Sequence, residues 1–444
     1  MERPINRVVD LTHPNDQQVV NMDLEAARRK LLGEDPRGLF GVQGSFALVA
    51  RDGELVRLAR SLDRPLRFFL AKEEQGPLLV VAERMDEIRD FLDEEGYGDQ
   101  FHPTYTRMVP AHYVTSLRLI GCPDPNPIHT RFLELAEEPL SADLDVIGRR
   151  YVGAILNEIE TWLLAVPKDE PIGVLFSGGV DSGAVLLCLY HHLLRAGESP
   201  TRLKAFTLAV DGEGSDAEQA REFLCRAELE MLGEVVEVDS SRLDPFAAVE
   251  VIEDYKPLDV ECATVNLALL GEIRRRYPEW RLIVDGDGGD ENLKDYPIEE
   301  NAELTIRSVV NNPLLYQEGW GVDCVKHSLT YSGGQSRGCV RTYAPLRKLG
   351  FSGFSPYTGP SVVALAAAIP FAELSRGSIE ELYALKGEIM RRGIRAHTDL
   401  ELPVFPKRRF QQGATSPAAF QERFSAAQEA YRNHLLATLT RGQG

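Results

Sequence analysis

The chain lacks the signatures that would assign it fastest. Its six cysteines, at positions 122, 188, 225, 262, 324 and 339, include no C-x-x-C pair. Zinc spacing and a small disulfide scaffold are thereby excluded. The thiols read as reduced cysteines of a cytosolic protein. No apolar run is long enough to span a bilayer: the longest, Ser361 to Phe371, is too short and carries Pro370. The start, Met1 to Asp10, has no apolar core of signal-peptide length. Positive charge is in deficit, with 49 Lys and Arg against 68 Asp and Glu. The resulting −19 argues against nucleic acid or an anionic membrane as the main partner. Internal repeats and low-complexity tracts are absent. At 444 residues, two or three domains are expected.

What is present centres on Gly173-Val-Leu-Phe-Ser-Gly-Gly-Val-Asp-Ser182. Ile172 to Phe176 has strand length and is apolar. Gly178 and Gly179 permit a turn and a close backbone approach. Ser182 to Arg195 reads as a helix stopped by Gly197. Amides at that helix start, with the Ser177 and Ser182 hydroxyls, suit an anion. The carboxylate of Asp181 would repel phosphate unless a divalent cation sits between them, so nucleotide phosphates with magnesium are implied. The lysine of the G-x-x-x-x-G-K-[ST] loop is missing.

Over residues 41–92, strand-like segments Gly44–Ala50, Glu54–Ala59, Leu66–Ala71 and Pro77–Ala82 predict a β-meander, and Arg84 to Leu92 then predicts a helix. Pro123-Asp-Pro-Asn-Pro127 predicts a linker. From Ala142 onward, strands at Ile172–Phe176, Ala205–Val210, Val235–Val238 and Leu282–Val284 alternate with helices such as Asp216–Leu232 and Asn266–Arg276. That alternation predicts a parallel sheet with right-handed crossovers. The last third reads as helical, apart from a loop-rich region from Tyr331 to Pro360.

Asp285-Gly-Asp-Gly-Gly-Asp-Glu291 follows the strand ending at Val284. Acids this dense need a cation or a positive substrate group, or else stand as a solvated turn. An EF-hand is excluded, because its sixth position is Asp290 and its twelfth Tyr296.

The first motif resembles the S-G-G-x-D-S loop of the N-type ATP pyrophosphatases, the PP-loop enzymes. These cleave ATP between the α and β phosphates. The acidic turn resembles the S-G-E-G-S-D-E segment of the asparagine synthetases and β-lactam synthetases, including the tyrosine of D-E-x-x-x-x-Y, here Tyr296. Phe206-Thr-Leu208 is similar to the family strand that lines adenine. Ser215-Asp216 with Ala220-Arg221 resembles S-D-E…A-R, Lys386 the lysine of K-x-x-L-R, and Pro406-Lys407 to Gly413 the late K-x-x-F-x-x-G. The resemblance runs from about Gly41 to Gly413. It implies an α/β fold: a degenerate glutaminase-like (Ntn-type) α+β domain over residues 1–125 and a PP-loop parallel-sheet domain over 126–444 with a helical C-terminal part. It implies ATP binding by Leu175, Ser177, Gly178, Gly179, Val180, Asp181, Ser182, Leu208, Gly286 and Lys386. Magnesium would be held by Asp181 and Asp290, and the catalytic groups would be Lys407, Asp287 and Tyr296.

Several positions depart from the family. The amino-terminal cysteine nucleophile is absent, with Glu2 in its place, and the segment before Gly44 is short. Glutamine hydrolysis by the usual thiolate route is therefore not expected. The catalytic glutamate of S-G-E-G is Asp287, which retracts the carboxylate by roughly 1.5 Å. Of E-x-R-x-P-F-L-D only Pro356 remains, in Ser352-Gly-Phe-Ser-Pro-Tyr-Thr-Gly359. The acceptor side differs while the ATP side is kept. The expected activity is an AMP-forming amide ligase in the cytoplasm. It joins a small-molecule or peptide carboxylate to ammonia or an amine, and a homodimer is one option for its assembly. The alternatives are a PP-loop sulfurtransferase using Cys339, in the loop Gly333 to Cys339, and a non-catalytic scaffold.

Overall fold

A computed structural model describes the chain apart from residues 1–2, 5–6, 15–16, 73–77, 123–125, 137, 213, 321–333, 407–412 and 441–444. In chain order the first elements are strands β1 (Arg3–Pro4), β2 (Arg7–Asp10) and β3 (Gln18–Val19), helix α1 (Leu24–Leu32), and strands β4 (Gly44–Ser45), β5 (Ala47–Asp52), β6 (Leu55–Arg60), β7 (Arg67–Ala71) and β8 (Leu78–Ala82). Helix α2 (Met85–Glu94) and strands β9 (Arg107–Met108), β10 (Tyr113–Arg118), β11 (Ile120–Cys122) and β12 (Ile128–Arg131) follow.

Two four-stranded sheets, ordered β2-β8-β7-β9 and β12-β10-β6-β5, stack face to face. All five residues of β8 are buried, so both of its faces need cover. Leu79 and Val81 meet Val56, Leu58 and Leu117 of the other sheet. Leu78, Val80 and Ala82 pack the opposite way, on Met85, Ile88 and Leu92 of α2. Helix α1 covers the far sheet, with Ala27 and Leu31 against Leu48, Ala50 and Val114. The expected meander is therefore split. Residues 61–66 carry the chain from β6 in one sheet to β7 in the other. Strand β12 lies beyond position 125 yet pairs with β10, Ile128 opposite Ser116. The N-terminal layers thus extend past the break expected at 125/126. Of the proline-rich linker, Pro123 to Pro125 lie outside the described residues.

Next come α3 (Leu144–Ala165), β13 (Ile172–Leu175), α4 (Val180–Arg195), β14 (Leu203–Val210), α5 (Ser215–Arg226), β15 (Gly233–Val238), α6 (Pro245–Ile252), α7 (Pro257–Arg276), β16 (Leu282–Val284) and α8 (Gly289–Asn292). Then follow α9 (Ile306–Asn311), α10 (Leu315–Glu318), α11 (Gly334–Lys348), β17 (Ser352–Phe354), α12 (Pro360–Ala367), α13 (Phe371–Ser375) and α14 (Ile379–Thr398). The sheet is ordered β15-β14-β13-β16-β17, and every neighbouring pair is parallel. The chain starts at β13, moves outward through β14 to β15, then crosses back to β16. The order reverses between β13 and β16, and at such a switch point a crevice opens at the carboxyl ends of the strands. Both glycine-rich motifs leave from these two strands.

Two expectations change here. The region 331–360 holds helix α11 and strand β17 as well as loop. Its Ser- and Gly-rich start hides the helix, and a three-residue strand leaves no periodicity to read. The helix expected to Leu232 stops at Arg226, where Glu228 takes φ 58° and a short 3₁₀ turn follows. Helices α3 and α14 touch backbone to backbone: a Cβ on Gly393 would lie 2.3 Å from the Gly148 carbonyl oxygen. Among the described residues, no helix is long and apolar enough to cross a membrane.

Candidate active site

The crevice is built by two loops in direct contact. After β13, Gly178 adopts φ 72°, and a Cβ there would lie 2.8 Å from the Ala220 nitrogen. Only glycine fits both the dihedral and the approach to α5. The loop caps itself. The Gly179 N–H donates to Ser177 Oγ (3.3 Å), and the Ser177 N–H donates to Ser182 Oγ (3.3 Å). Val180 opens α4 and Asp181 lies in its first turn. The second loop, after β16, is pressed onto the first. A Cβ on Gly286 would sit 2.9 Å from the Ser182 nitrogen, and one on Gly289 only 2.2 Å from Asp181 Oδ1. These glycines let the acidic turn approach Asp181 closely enough to share a ligand.

Lys386, on α14, enters between the two loops. Its ammonium donates to Asp181 Oδ2 at 2.5 Å and to Asp290 Oδ1, and lies 3.3 Å from Asp295. Burial opposes the lysine's charge, but Asp181, Asp290 and Asp295 outweigh it and hold its pKa well above the ordinary value. Asp181 and Asp290 thus converge on one cationic point, with the ammonium occupying it. Among the described residues no group of three or more His, Cys, Asp or Glu forms a metal cage. A pair of carboxylates facing an anion cradle instead suits a hard divalent cation that takes its remaining ligands from phosphate and water.

Towards β17 the crevice becomes a buried acidic pocket. Asp285 accepts from Ser355 Oγ (2.5 Å) and from the Asp287 N–H (3.0 Å). Burial and the neighbouring Asp287 charge raise its pKa well above the carboxylate range. Asp287 is raised by burial as well, while Arg341 and the Thr342 hydroxyl pull it back down. The Tyr296 hydroxyl donates to Glu291 Oε1 at 2.7 Å, and Arg341 lies 3.8 Å from the same oxygen. Burial also raises both Glu291 and Tyr296. Glu291 and Arg341 come from α8 and α11, outside the Ser352–Gly359 segment that departs from the family.

The structure brings together Ser177, Gly178, Gly179, Val180, Asp181, Ser182, Gly286, Asp290 and Lys386, with Asp287 and Tyr296 beside them. Leu175 is half-buried. Leu208 is 1% exposed, inside the core against Val236 and Leu269, which leaves its backbone rather than its side chain for a ligand. Lys407 lies outside the described residues. Gly413, which closes the same segment, sits where a Cβ would lie 1.8 Å from Asp216 Oδ1, and Ala414 O accepts from the Val210 N–H at 3.0 Å. Gly413 and Ala414 therefore lie at the carboxyl end of β14. Cys339, expected in a loop, has a helical backbone in α11, and its side chain is outside the description. Sequence reading missed Asp295, Arg341, Thr342, Ser355 and Tyr357, whose hydroxyl donates to the Asp181 carbonyl at 3.1 Å. Tyr357 lies in the very segment that departs from the family. Only its proline-tyrosine placement next to a strand could have signalled it.

Residues 164–333 match the family model for asparagine synthase. The match covers both loops, and over this span the chain is similar to the asparagine synthetase-like proteins. Members of that family are ATP-dependent ligases. No curated protein matches the chain.

Proposed function

We propose that this protein adenylates a substrate carboxylate and passes the acyl group to ammonia or an amine, within the same molecule or from a second one, without hydrolysing glutamine. The convergence of Asp181 and Asp290 on Lys386, at the switch point between β13 and β16, carries the reading. In the first step a carboxylate oxygen attacks the α-phosphorus of ATP, and pyrophosphate leaves with the bridging oxygen. The α4 amides and the Ser177 and Ser182 hydroxyls bind the phosphates. Magnesium held by Asp181 and Asp290 would neutralise phosphate charge and orient the leaving group. Lys386 shares that anionic region and would add positive charge for the phosphates. In the second step the nitrogen attacks the acyl carbon, AMP leaves, and the nitrogen loses a proton. Asp287, held by Thr342 and Arg341, would accept that proton. Tyr296 with Glu291 orients the acceptor, and Lys407 serves the charge that grows on the carbonyl oxygen.

The N-terminal layers contain no cysteine before Cys122, which supports a structural rather than a glutamine-cleaving role. Cys188, Cys225 and Cys262 form no disulfide among the described residues, in keeping with a reducing, cytoplasmic setting. The test is product analysis by ion-exchange chromatography, with ATP, magnesium, ammonium and a panel of carboxylic acids. AMP and pyrophosphate in equal amounts are expected. Release of ADP and phosphate would overturn the reading, and glutamate formed from glutamine would overturn its glutaminase-free part.

A further inference from the structure

Helix α4 begins at the ATP loop and ends in a different place. There, about 15 Å along the helix from Asp181 at 1.5 Å per residue, a cleft of about 490 Å³ opens between α3, α4 and α14, with the start of α12 at its edge. Arg149, Arg150, His191, His192, Arg195 and His397 line it, and Glu160 is the one acid among its lining residues. Three of the chain's nine histidines gather here, in a protein of net charge −19, so composition does not account for the cluster.

Helix dipoles explain part of it. His192 and Arg195 lie in the last turn of α4 and His397 in that of α14, where cations are favoured. Arg149 and Arg150 have no such excuse, because they sit in the N-terminal half of α3. Arg149, Arg150 and Arg195 are exposed and make no ion pair among the described residues. Nearby Arg392, by contrast, is paired with both Asp145 and Glu388. The histidines are held in place. A His397 ring nitrogen lies 2.7 Å from the Arg149 carbonyl oxygen and donates to it, and Gly153 leaves room for the ring, since a Cβ there would lie 3.2 Å from Nε2. His191 Nε2 is buried with no hydrogen-bond partner among the described residues. Burial, together with Arg195 and His192, holds the His191 pKa below its ordinary value, with Asp399 opposing. An anion in the cleft would offset each of these repulsions.

We propose that this cleft binds a small phosphorylated anion, at a site separate from the ATP loop. Guanidinium forks match phosphate oxygens two at a time, and imidazoles add donors once protonated. The charge converges from three helices on a hollow of small-ligand size, which suits a compact multivalent anion rather than an acidic peptide. Binding strengthens as pH falls through the histidine range.

Magnesium-free pyrophosphate is titrated into the full chain while the imidazole resonances of His191, His192 and His397 are followed by NMR, each assigned from a His→Gln variant. The three are expected to shift together, with raised apparent pKa values. Arg149→Gln with Arg195→Gln is expected to weaken the response by roughly a hundredfold, about tenfold for each lost charged contact. Arg149→Lys with Arg195→Lys retains most of it. Silence of all three histidines up to millimolar pyrophosphate overturns the proposal. So does an unchanged response in the Arg→Gln pair, or a response to a polyglutamate peptide and none to pyrophosphate.

Discussion

Lys386 is buried against three carboxylates, so removing it leaves repulsion behind before it removes any ligand contact. Lys386→Met is expected to cost roughly 3 kcal/mol of stability in metal-free buffer. Magnesium should restore part of that loss, because a divalent cation can take the ammonium's place, while ATP affinity stays reduced. A melting temperature that is unchanged without magnesium, or unmoved by it, counts against this arrangement. His112 makes a second prediction. It is 1% exposed, adopts φ 64°, and neither ring nitrogen has a hydrogen-bond partner among the described residues. Burial, then the Arg60 and Arg131 charges, pushes its pKa down to about 3. The folded state therefore binds fewer protons than the unfolded chain between pH 6.5 and 3. Stability is undiminished above pH 6.5 and falls as pH drops below it, by up to about 1.4 kcal/mol per pH unit. His112→Asn tolerates the same backbone and removes that slope. Urea midpoints at pH 4.5 and 7.5 should differ less in His112→Asn than in the parent chain, and parallel profiles would refute the assignment. At this scale the sequence was informative where spacing is local. Ser177 to Ser182 and Asp285 to Glu291 each form one turn, so their chemistry reads directly. Asp295, Arg341 and Tyr357 join the site only through tertiary packing, and no short pattern marks them.

Two glycines on long helices show how packing overrides propensity. Gly271, on α7, has open space where a Cβ would be, whereas Gly393, on α14, would drive one into the Gly148 carbonyl. Alanine is favoured over glycine inside helices by up to about 1 kcal/mol. Overpacking a tight contact costs about 1–3 kcal/mol. Gly271→Ala should therefore raise the melting temperature slightly, while Gly393→Ala should lower it by several degrees. If both rise together, the α3–α14 contact is not as close as described. Element types were readable where apolar periodicity is strong. Strands β13 to β16 and helix α4 fall within a few residues of their expected positions. The partition of β5 to β8 between two sheets was not readable, because alternation reveals a buried face and not which neighbour covers it. Helix α11 was obscured by its Ser- and Gly-rich beginning, yet it brings Arg341 and Thr342 to the acidic pocket.

Across the whole molecule, the N-terminal layers and the parallel-sheet part share a core. Ile88 and Leu92 of α2 pack with Val249, Val260 and with Tyr431 and Leu435 of the helix Gln428–Leu439. Glu253 fastens the seam: it accepts from the Met85 N–H (2.8 Å) and the Asp86 N–H (3.0 Å), capping α2, and lies 3.5 Å from buried Arg67. Glu253→Ala leaves that arginine unpaired and α2 uncapped, so a loss of about 3 kcal/mol or more is expected. The melt should stay a single transition, because the seam is part of one core. A separate early transition of the N-terminal layers would contradict that unity. An N-terminal part so tightly joined shares one core with the parallel-sheet part. The proposed function turns on the chemistry at the crevice between β13 and β16. With the carboxylic acid that supports AMP release, labelled with ¹⁸O in its carboxyl group, mass spectrometry of the products tests it most directly. One ¹⁸O atom in the phosphate of AMP is predicted, with none in pyrophosphate, and the transfer should disappear in Asp181→Asn. Label found in inorganic phosphate, or unlabelled AMP beside fully formed amide, would contradict adenylation of the carboxylate.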